Sequence, residues 1–285
     1  MRLQFKKVYK IIGSALKEDL GRGDITTGTL FSAPVRVTAN IVAKQKGVVC
    51  GLSVVGMVFK ILSRKTTVVK KVADGTSVKP GDVVCVIKGN ARKILAGERV
   101  ALNFLSRLSG IATLTRKYVA KVRPYNVKIM DTRKTTPGLR ELEKYAVRIG
   151  GGHNHRMGLA SHILIKDNHK KILSAKLETP LSQTHIQKIR KRVHKDIDVE
   201  IEVETLKEFR EVLGVKANII MLDNMRIPQI KKAVKLRNKH RLLLEASGRV
   251  NIDNVRDIAK TGVDMISIGA LTHSPKSLDF SLEVT

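Results

Sequence analysis

Asp131-Thr132-Arg133-Lys134-Thr135-Thr136-Pro137-Gly138 sets two adjacent cations just beyond a short apolar run and closes on a turn signal. Such a pair suits a dianionic ligand, because arginine grips a carboxylate through two parallel hydrogen bonds whereas lysine acts as a movable point charge. By spacing alone an ordinary basic loop fits equally well. Gly150-Gly151-Gly152-His153-Asn154-His155-Arg156 is a flexible turn carrying two imidazoles and a further guanidinium. Its His-Asn-His triplet is not diagnostic of a nuclease, and its His-x-His pair lacks a third metal ligand at suggestive spacing. Lys166 ends an apolar run in Ile165-Lys166-Asp167-Asn168-His169, where a lysine is costly unless an anion awaits it.

The acidic candidates are Glu202, within Glu200-Ile201-Glu202-Val203-Glu204, and Asp223, within Met221-Leu222-Asp223-Asn224. Alternate residues of a strand share a side, so Glu200, Glu202 and Glu204 point together. Carboxylates so placed suit ribose hydroxyls or Mg²⁺, which prefers one or two carboxylates together with substrate phosphates. Ala246-Ser247-Gly248 and Ile268-Gly269-Ala270 put small residues where backbone N–H groups can approach a phosphate. Arg99 lies three residues before Leu102, with Leu105 and Leu108 at the same step, so its guanidinium leaves from the apolar face of a helix. A snorkelling arginine is the simpler reading of that spacing.

These residues need elements to position them. From Asn126 onward, β-branched runs at 127–130, 163–166, 197–203, 218–222, 242–245 and 265–268 alternate with segments of helical period at 181–194, 205–213, 227–238 and 252–260. Such alternation predicts parallel strands with crossover helices, in a complete or incomplete β/α barrel. Asp131, Lys166, Glu202, Asp223, Ser247-Gly248 and Gly269 then fall at strand ends, which form one face of such a barrel. The first hundred residues read as a mixed α+β unit, with a helix at 8–16 and strands at 35–44, 66–72 and 83–87. Residues 73–83 form a structural turn resembling those of biotinyl domains, without their modifiable Met-Lys-Met. A helix over 96–122, ended by Pro124, marks the boundary.

The 285 residues carry 54 Lys+Arg against 25 Asp+Glu, a net charge of +29. That field attracts polyanions. The densest runs, 188–192 and 231–241, interleave Ile and Val at helical spacing, which makes them solvated helix faces. With aromatics at 4% and no Trp, a stacking platform for single strands is missing, so specific nucleic-acid binding is not expected. No apolar run approaches the roughly 18 residues of a membrane span, and no secretory signal follows the basic start. A cytoplasmic location is expected. Cys50 and Cys85 are isolated and read as small apolar residues.

The stretches Lys17 to Thr27, Gly97 to Leu105, Ser109 to Thr113, Asp131 to Gly138, Glu143 to Ala146, Asn154-His155-Arg156-Met157-Gly158-Leu159, Ile165-Lys166-Asp167-Asn168-His169, Leu244-Glu245-Ala246-Ser247-Gly248 and Ser267 to Ser274 occur in the order found in the quinolinate phosphoribosyltransferases. The chain resembles that family over nearly its whole length. The resemblance implies an α/β fold with an amino-terminal α/β sandwich over 1–107, joined by the tail 275–285, and an incomplete β/α barrel over 108–274. It implies decarboxylating phosphoribosyl transfer from phosphoribosyl pyrophosphate to quinolinate, with Mg²⁺ and no organic prosthetic group.

Carried over position by position, Arg99, Thr132, Arg133, Lys134, His155, Arg156 and Lys166 would surround quinolinate. Arg99 would come from the neighbouring subunit of a homodimer that can assemble further into a hexamer. Lys134, Lys166, Glu202, Asp223, Ser247, Gly248 and Gly269 would hold the phosphoribosyl donor, with Glu202 and Asp223 as metal ligands and Lys134, Lys166, Glu202 and Asp223 as the catalytic set. Ser161 and Arg249 depart from the family pattern, which usually has Asp at the first position and Gly or Asn at the second. The rival readings are a paralogue associated with molybdate transport and, from another class, a basic nucleic-acid-binding barrel.

Overall fold

The structure is a computed structural model that describes residues 3–177, 181–237 and 240–285. Along the chain it forms α1 (Phe5–Leu20), α2 (Ile25–Leu30), β1 (Arg36–Ala43), β2 (Gly47–Val48), α3 (Leu52–Leu62), β3 (Thr67–Lys70), β4 (Ser77–Val78), β5 (Val83–Asn90), α4 (Ala91–Val122), β6 (Lys128–Met130) and α5 (Arg140–Ile149). Then come β7 (Ile163–Ile165), α6 (Asp167–Leu177), α7 (Gln183–Arg192), β8 (Val199–Val203), α8 (Leu206–Leu213), β9 (Ile219–Asp223), α9 (Ile227–Arg237), β10 (Leu243–Ser247), α10 (Val255–Ala259), β11 (Met265–Ser267), α11 (Ala270–His273) and β12 (Phe280–Val284). Asn238, where the helix over 227–238 was expected to end, lies outside the described residues, as do Met1 and Arg2 of the basic start.

Two compact units divide the chain. The first contains Met1–Arg116, Lys134–Gly151 and Leu271–Thr285. Its sheet is antiparallel in the order β12-β1-β5-β3, with β12 paired to β1 from Ala39↔Val284 to Ala43↔Phe280. Helix α3 packs against α1 and β3, completing the sandwich of helices on a sheet. Asp24 caps α2 by accepting the Thr27 amide at 2.9 Å. Gly110 on α4 lies under the backbone of the tail, where an added Cβ would come within 2.2 Å of the Lys276 carbonyl oxygen.

The segment 134–151 belongs to this first unit, whereas the sequence placed all of 108–274 in one body. Long-range polar contacts accompany the burial of Leu142, Ala146 and Val147. The Arg107 guanidinium contacts the buried Glu143 carboxylate at 2.8 Å, the Tyr145 hydroxyl donates to Asp74 at 2.7 Å, and the Gln4 amide donates to Glu141. Cys50 and Cys85 are buried and free, and burial pushes the Cys85 thiol up to about 12.

The second unit, Lys117–Arg133 with Gly152–Ala270, carries a six-stranded parallel sheet in the order β6-β11-β10-β9-β8-β7. This parallel sheet with crossover helices is what the alternation of strands and helices predicts. Ile219, Ile220, Met221 and Leu222 of β9 are buried in succession, as expected of a strand covered on both faces. Helix α8 starts at Thr205, whose hydroxyl accepts the Glu208 amide at 3.1 Å, and turns Phe209 and Val212 into the core. The basic runs are solvated faces. Lys188, Lys191, Arg192, Lys231, Lys232 and Lys235 are exposed, while Ile186, Ile230 and Ala233 are buried on the same helices.

Candidate active site

Within the second unit the chemistry gathers beyond the carboxyl ends of the strands. After β6, Asp131 is fully buried. Its carboxylate accepts the His155 amide at 2.9 Å and Asn154 Nδ2 at 2.5 Å. The Asp131 amide donates to the His153 carbonyl at 3.0 Å, and the His153 amide donates to that of Ile129 at 2.8 Å. The supposed flexible turn is therefore held beside β6 by an isolated parallel bridge at Met130↔His153. Asp131 holds that segment and is not itself presented to a ligand.

This pairing brings Arg156 close to Arg133. Partial burial lowers the Arg156 pKa, and the charge of Arg133 lowers it further against the opposing pull of Glu200. Two guanidiniums in one another's field favour an anion beside them, which would relieve their repulsion. The Arg156 guanidinium is fixed by Nη1 donating to the His162 carbonyl at 3.2 Å, and the Arg156 amide donates to His155 Nδ1 at 2.8 Å.

Beneath the guanidiniums lies a cluster of imidazoles and carboxylates. His155 Nε2 is 3.1 Å from Glu200 Oε2 and 3.4 Å from Glu245 Oε2, and His162 Nε2 is 2.9 Å from Glu200 Oε2. Both glutamates have no exposed side-chain surface. Burial opposes the charge of Glu200, but the two imidazoles outweigh it and hold the carboxyl below its usual range. Burial and the neighbouring Glu200 push the Glu245 carboxyl above its usual range, against the opposing pull of His155. Burial also disfavours charge on His155, yet the two glutamates draw its pKa up to about 10. The Arg156 amide works the other way, since only an unprotonated Nδ1 can accept it, which places the remaining ring proton on Nε2 beside Glu200 and Glu245.

On β8, just beyond it and on β9, oxygens of Glu202, Glu204 and Asp223 lie within 4.8 Å of one another. Burial and then Asp223 raise the Glu202 carboxyl above its usual range, while Lys166 and Lys170 pull it down. Glu200 and Glu202 of β8 and Glu204 just beyond it lie at different depths. Glu202 and Glu204 face Asp223, and Glu200 belongs to the buried cluster. Lys166 is exposed, so the burial cost inferred for it does not arise.

Ser247 pairs with Asp223 across β10 and β9, and its carbonyl accepts the Asn224 amide at 2.9 Å. Gly248 follows with φ +83°, and a Cβ there would lie 2.2 Å from Asn224 Oδ1 and 2.9 Å from its backbone nitrogen. A Gly248→Ala variant is expected to lose on the order of 1–3 kcal/mol of stability. A thermal midpoint equal to that of the unaltered protein would count against this account. Gly269 is half-buried just beyond β11, where the Ile268 amide donates to the Met130 carbonyl at 3.0 Å.

Thr132, Arg133, His155, Arg156, Lys166, Glu202, Asp223, Ser247, Gly248 and Gly269 thus share the second unit. Arg99 and Lys134, both exposed, belong to the first. Ser161 is exposed, and its hydroxyl donates to the Gly158 carbonyl at 3.3 Å. Arg249 projects into solvent at φ 50°. His162 and Glu245 were absent from the candidate set. Their signal was a carboxylate inside the apolar run Leu242 to Ala246 and an imidazole directly ahead of Ile163-Leu164-Ile165.

Residues 24–109 match the family model of the quinolinate phosphoribosyl transferase N-terminal domain, and residues 111–283 match that of the C-terminal domain. The chain is 40% identical over 279 residues to the probable nicotinate-nucleotide pyrophosphorylase [carboxylating] of Bacillus subtilis, covering 98% of this chain and 94% of that protein. It is 43% identical over 272 residues to the protein of the same name from Synechocystis, covering 94% and 90%. The solved nicotinate-nucleotide pyrophosphorylase of Francisella tularensis superposes with a TM-score of 0.92 at 36% identity, covering 100% of this chain and 98% of that one. With both halves matched, the chain belongs to the quinolinate phosphoribosyl transferase family.

Proposed function

We propose that the protein transfers the phosphoribosyl group of phosphoribosyl pyrophosphate to quinolinate and releases CO₂. The observation that carries this reading is the division of one strand-end face into a guanidinium pair, Arg133 and Arg156, and a carboxylate group, Glu202, Glu204 and Asp223. The first half suits a dicarboxylate. The second suits a ribose bearing phosphates and the cation that accompanies them. The elevated Glu202 carboxyl beside Asp223 fits a divalent cation, because two carboxylates forced together are relieved by one. Bound by Glu202 and Asp223 with the donor, Mg²⁺ would offset charge on the departing pyrophosphate.

The chain's own residues then position the partners. Arg133 and Arg156 hold the carboxylates so that the pyridine nitrogen faces ribose C1, and Lys166 lies within the field of Glu202 on the donor side. The C1–oxygen bond breaks with its electron pair leaving on pyrophosphate, and the nitrogen lone pair forms the new bond to C1. The resulting pyridinium accepts the electron pair of the adjacent carbon–carboxylate bond as CO₂ departs, and a proton replaces it on the ring. Ser247, Gly248 and Gly269 offer small, close backbone to the 5-phosphate. Lys134 serves both substrates, and Arg99, exposed on α4, serves the neighbouring subunit of a homodimer.

Incubating the purified protein with quinolinate, phosphoribosyl pyrophosphate and MgCl₂ should yield nicotinate mononucleotide and CO₂ in equal amounts. No product with quinolinate or any other pyridine carboxylate would sink the proposal.

A further inference from the structure

We infer that His155, His162, Glu200 and Glu245 form a buried clamp that positions Arg156, and that His155 acts through this clamp and not as a direct ligand of the substrate's carboxylate. The inference rests on reading Arg156 as a carboxylate ligand. The ring of His155 is committed on both sides. Nδ1 accepts the Arg156 amide at 2.8 Å, which leaves the ring proton on Nε2. Nε2 faces the buried oxygens of Glu200 at 3.1 Å and Glu245 at 3.4 Å. A carboxylate ligand needs a donor, and the single N–H of this ring already points into the protein.

His162 completes the arrangement. Its ring nitrogen is 2.9 Å from the same Glu200 oxygen, and its backbone carbonyl accepts the Arg156 guanidinium at 3.2 Å. The cluster therefore ties down Arg156 at both ends, through its own amide and through its guanidinium. Such anchoring has a purpose, because Arg133 repels Arg156 before any anion arrives. An unanchored side chain would swing toward solvent, and the substrate would have to reassemble the pair. Holding it in place moves that cost to folding, which is how a supporting shell sharpens a site.

Glu245 is the residue through which to test this, since it lies wholly inside and contacts His155, whose ring accepts the Arg156 amide. Glu245→Gln keeps the planar shape of the side chain and an acceptor for Nε2–H, whereas Glu245→Leu removes both. Affinity for phthalate, a dicarboxylate without the reactive nitrogen, is read by calorimetry together with KM for each substrate. The expected result is about tenfold weaker phthalate binding and about tenfold higher KM for quinolinate in Glu245→Leu. KM for phosphoribosyl pyrophosphate should change less than about twofold, and Glu245→Gln should lie within about threefold of the unaltered protein.

His162→Leu, at a position with 12% side-chain exposure, supplies the same reading if Glu245→Leu does not fold, and should weaken phthalate at least about threefold. An active protein whose folded variants bind phthalate unchanged overturns the clamp and leaves the proposed reaction standing. Equal loss in Glu245→Gln and Glu245→Leu also overturns it. An unaltered protein that neither binds phthalate nor turns over quinolinate overturns both.

Discussion

Arg156→Ala should lower kcat/KM for quinolinate by about a thousandfold while leaving the KM for phosphoribosyl pyrophosphate within about threefold. Truncating one member of a desolvated charge pair costs about 2–5 kcal/mol, and each 1.36 kcal/mol is a factor of about ten in rate. Arg156→Lys should recover little, because an ammonium cannot reproduce the planar fork that meets a carboxylate through two bonds. Stability should move the opposite way. Arg133 and Arg156 repel one another in the free protein, so removing one charge should leave the thermal midpoint unchanged or raised. A variant with ordinary quinolinate kinetics would remove Arg156 from the site.

The second large effect is expected on the donor side. Replacing Glu202 by Gln and Asp223 by Asn together should reduce kcat about a hundred- to a thousandfold and shift the activation curve toward higher Mg²⁺. Phthalate binding should hardly change, since the guanidinium pair is built on other strand ends. A titration of activity against MgCl₂ checks this. An unshifted curve with nearly full activity would show that these carboxylates do not govern the metal. Each single variant should lie between, because Glu202 and Asp223 share one field and their losses will not add.

The parallel half of the fold was written plainly in the chain because its strands are apolar on both faces and its helices on one. The amino-terminal half was harder. Helix α3 buries Leu52, Val54, Val55, Met57, Val58 and Phe59, so its β-branched residues show no polar face and no helical period. Helix α5 hides for another reason, since Glu141, Glu143 and Lys144 are buried alongside Leu142, Ala146 and Val147 and charged residues interrupt its buried side. The strand-end positions of Glu202 and Asp223 followed from periodicity alone. The partnership of Glu200 with His155, His162 and Glu245 did not, because three separate segments must fold together before those four side chains meet. Lys166 was singled out on a desolvation argument that its exposure removes, and its place now rests on its proximity to Glu202.

Strand β12 sits on the outer edge of β1, and Lys44 and Glu283 meet there at 2.6 Å although 239 positions separate them. During synthesis the sheet of the first unit therefore stays open on that side until the strands of the second unit have all been made. For that interval β1 presents unpaired amides and carbonyls to whatever is near, the condition under which nascent chains join edge to edge. Slow elongation through the second unit, or substitutions that weaken β12, should show as lower soluble yield before any loss of activity per folded molecule.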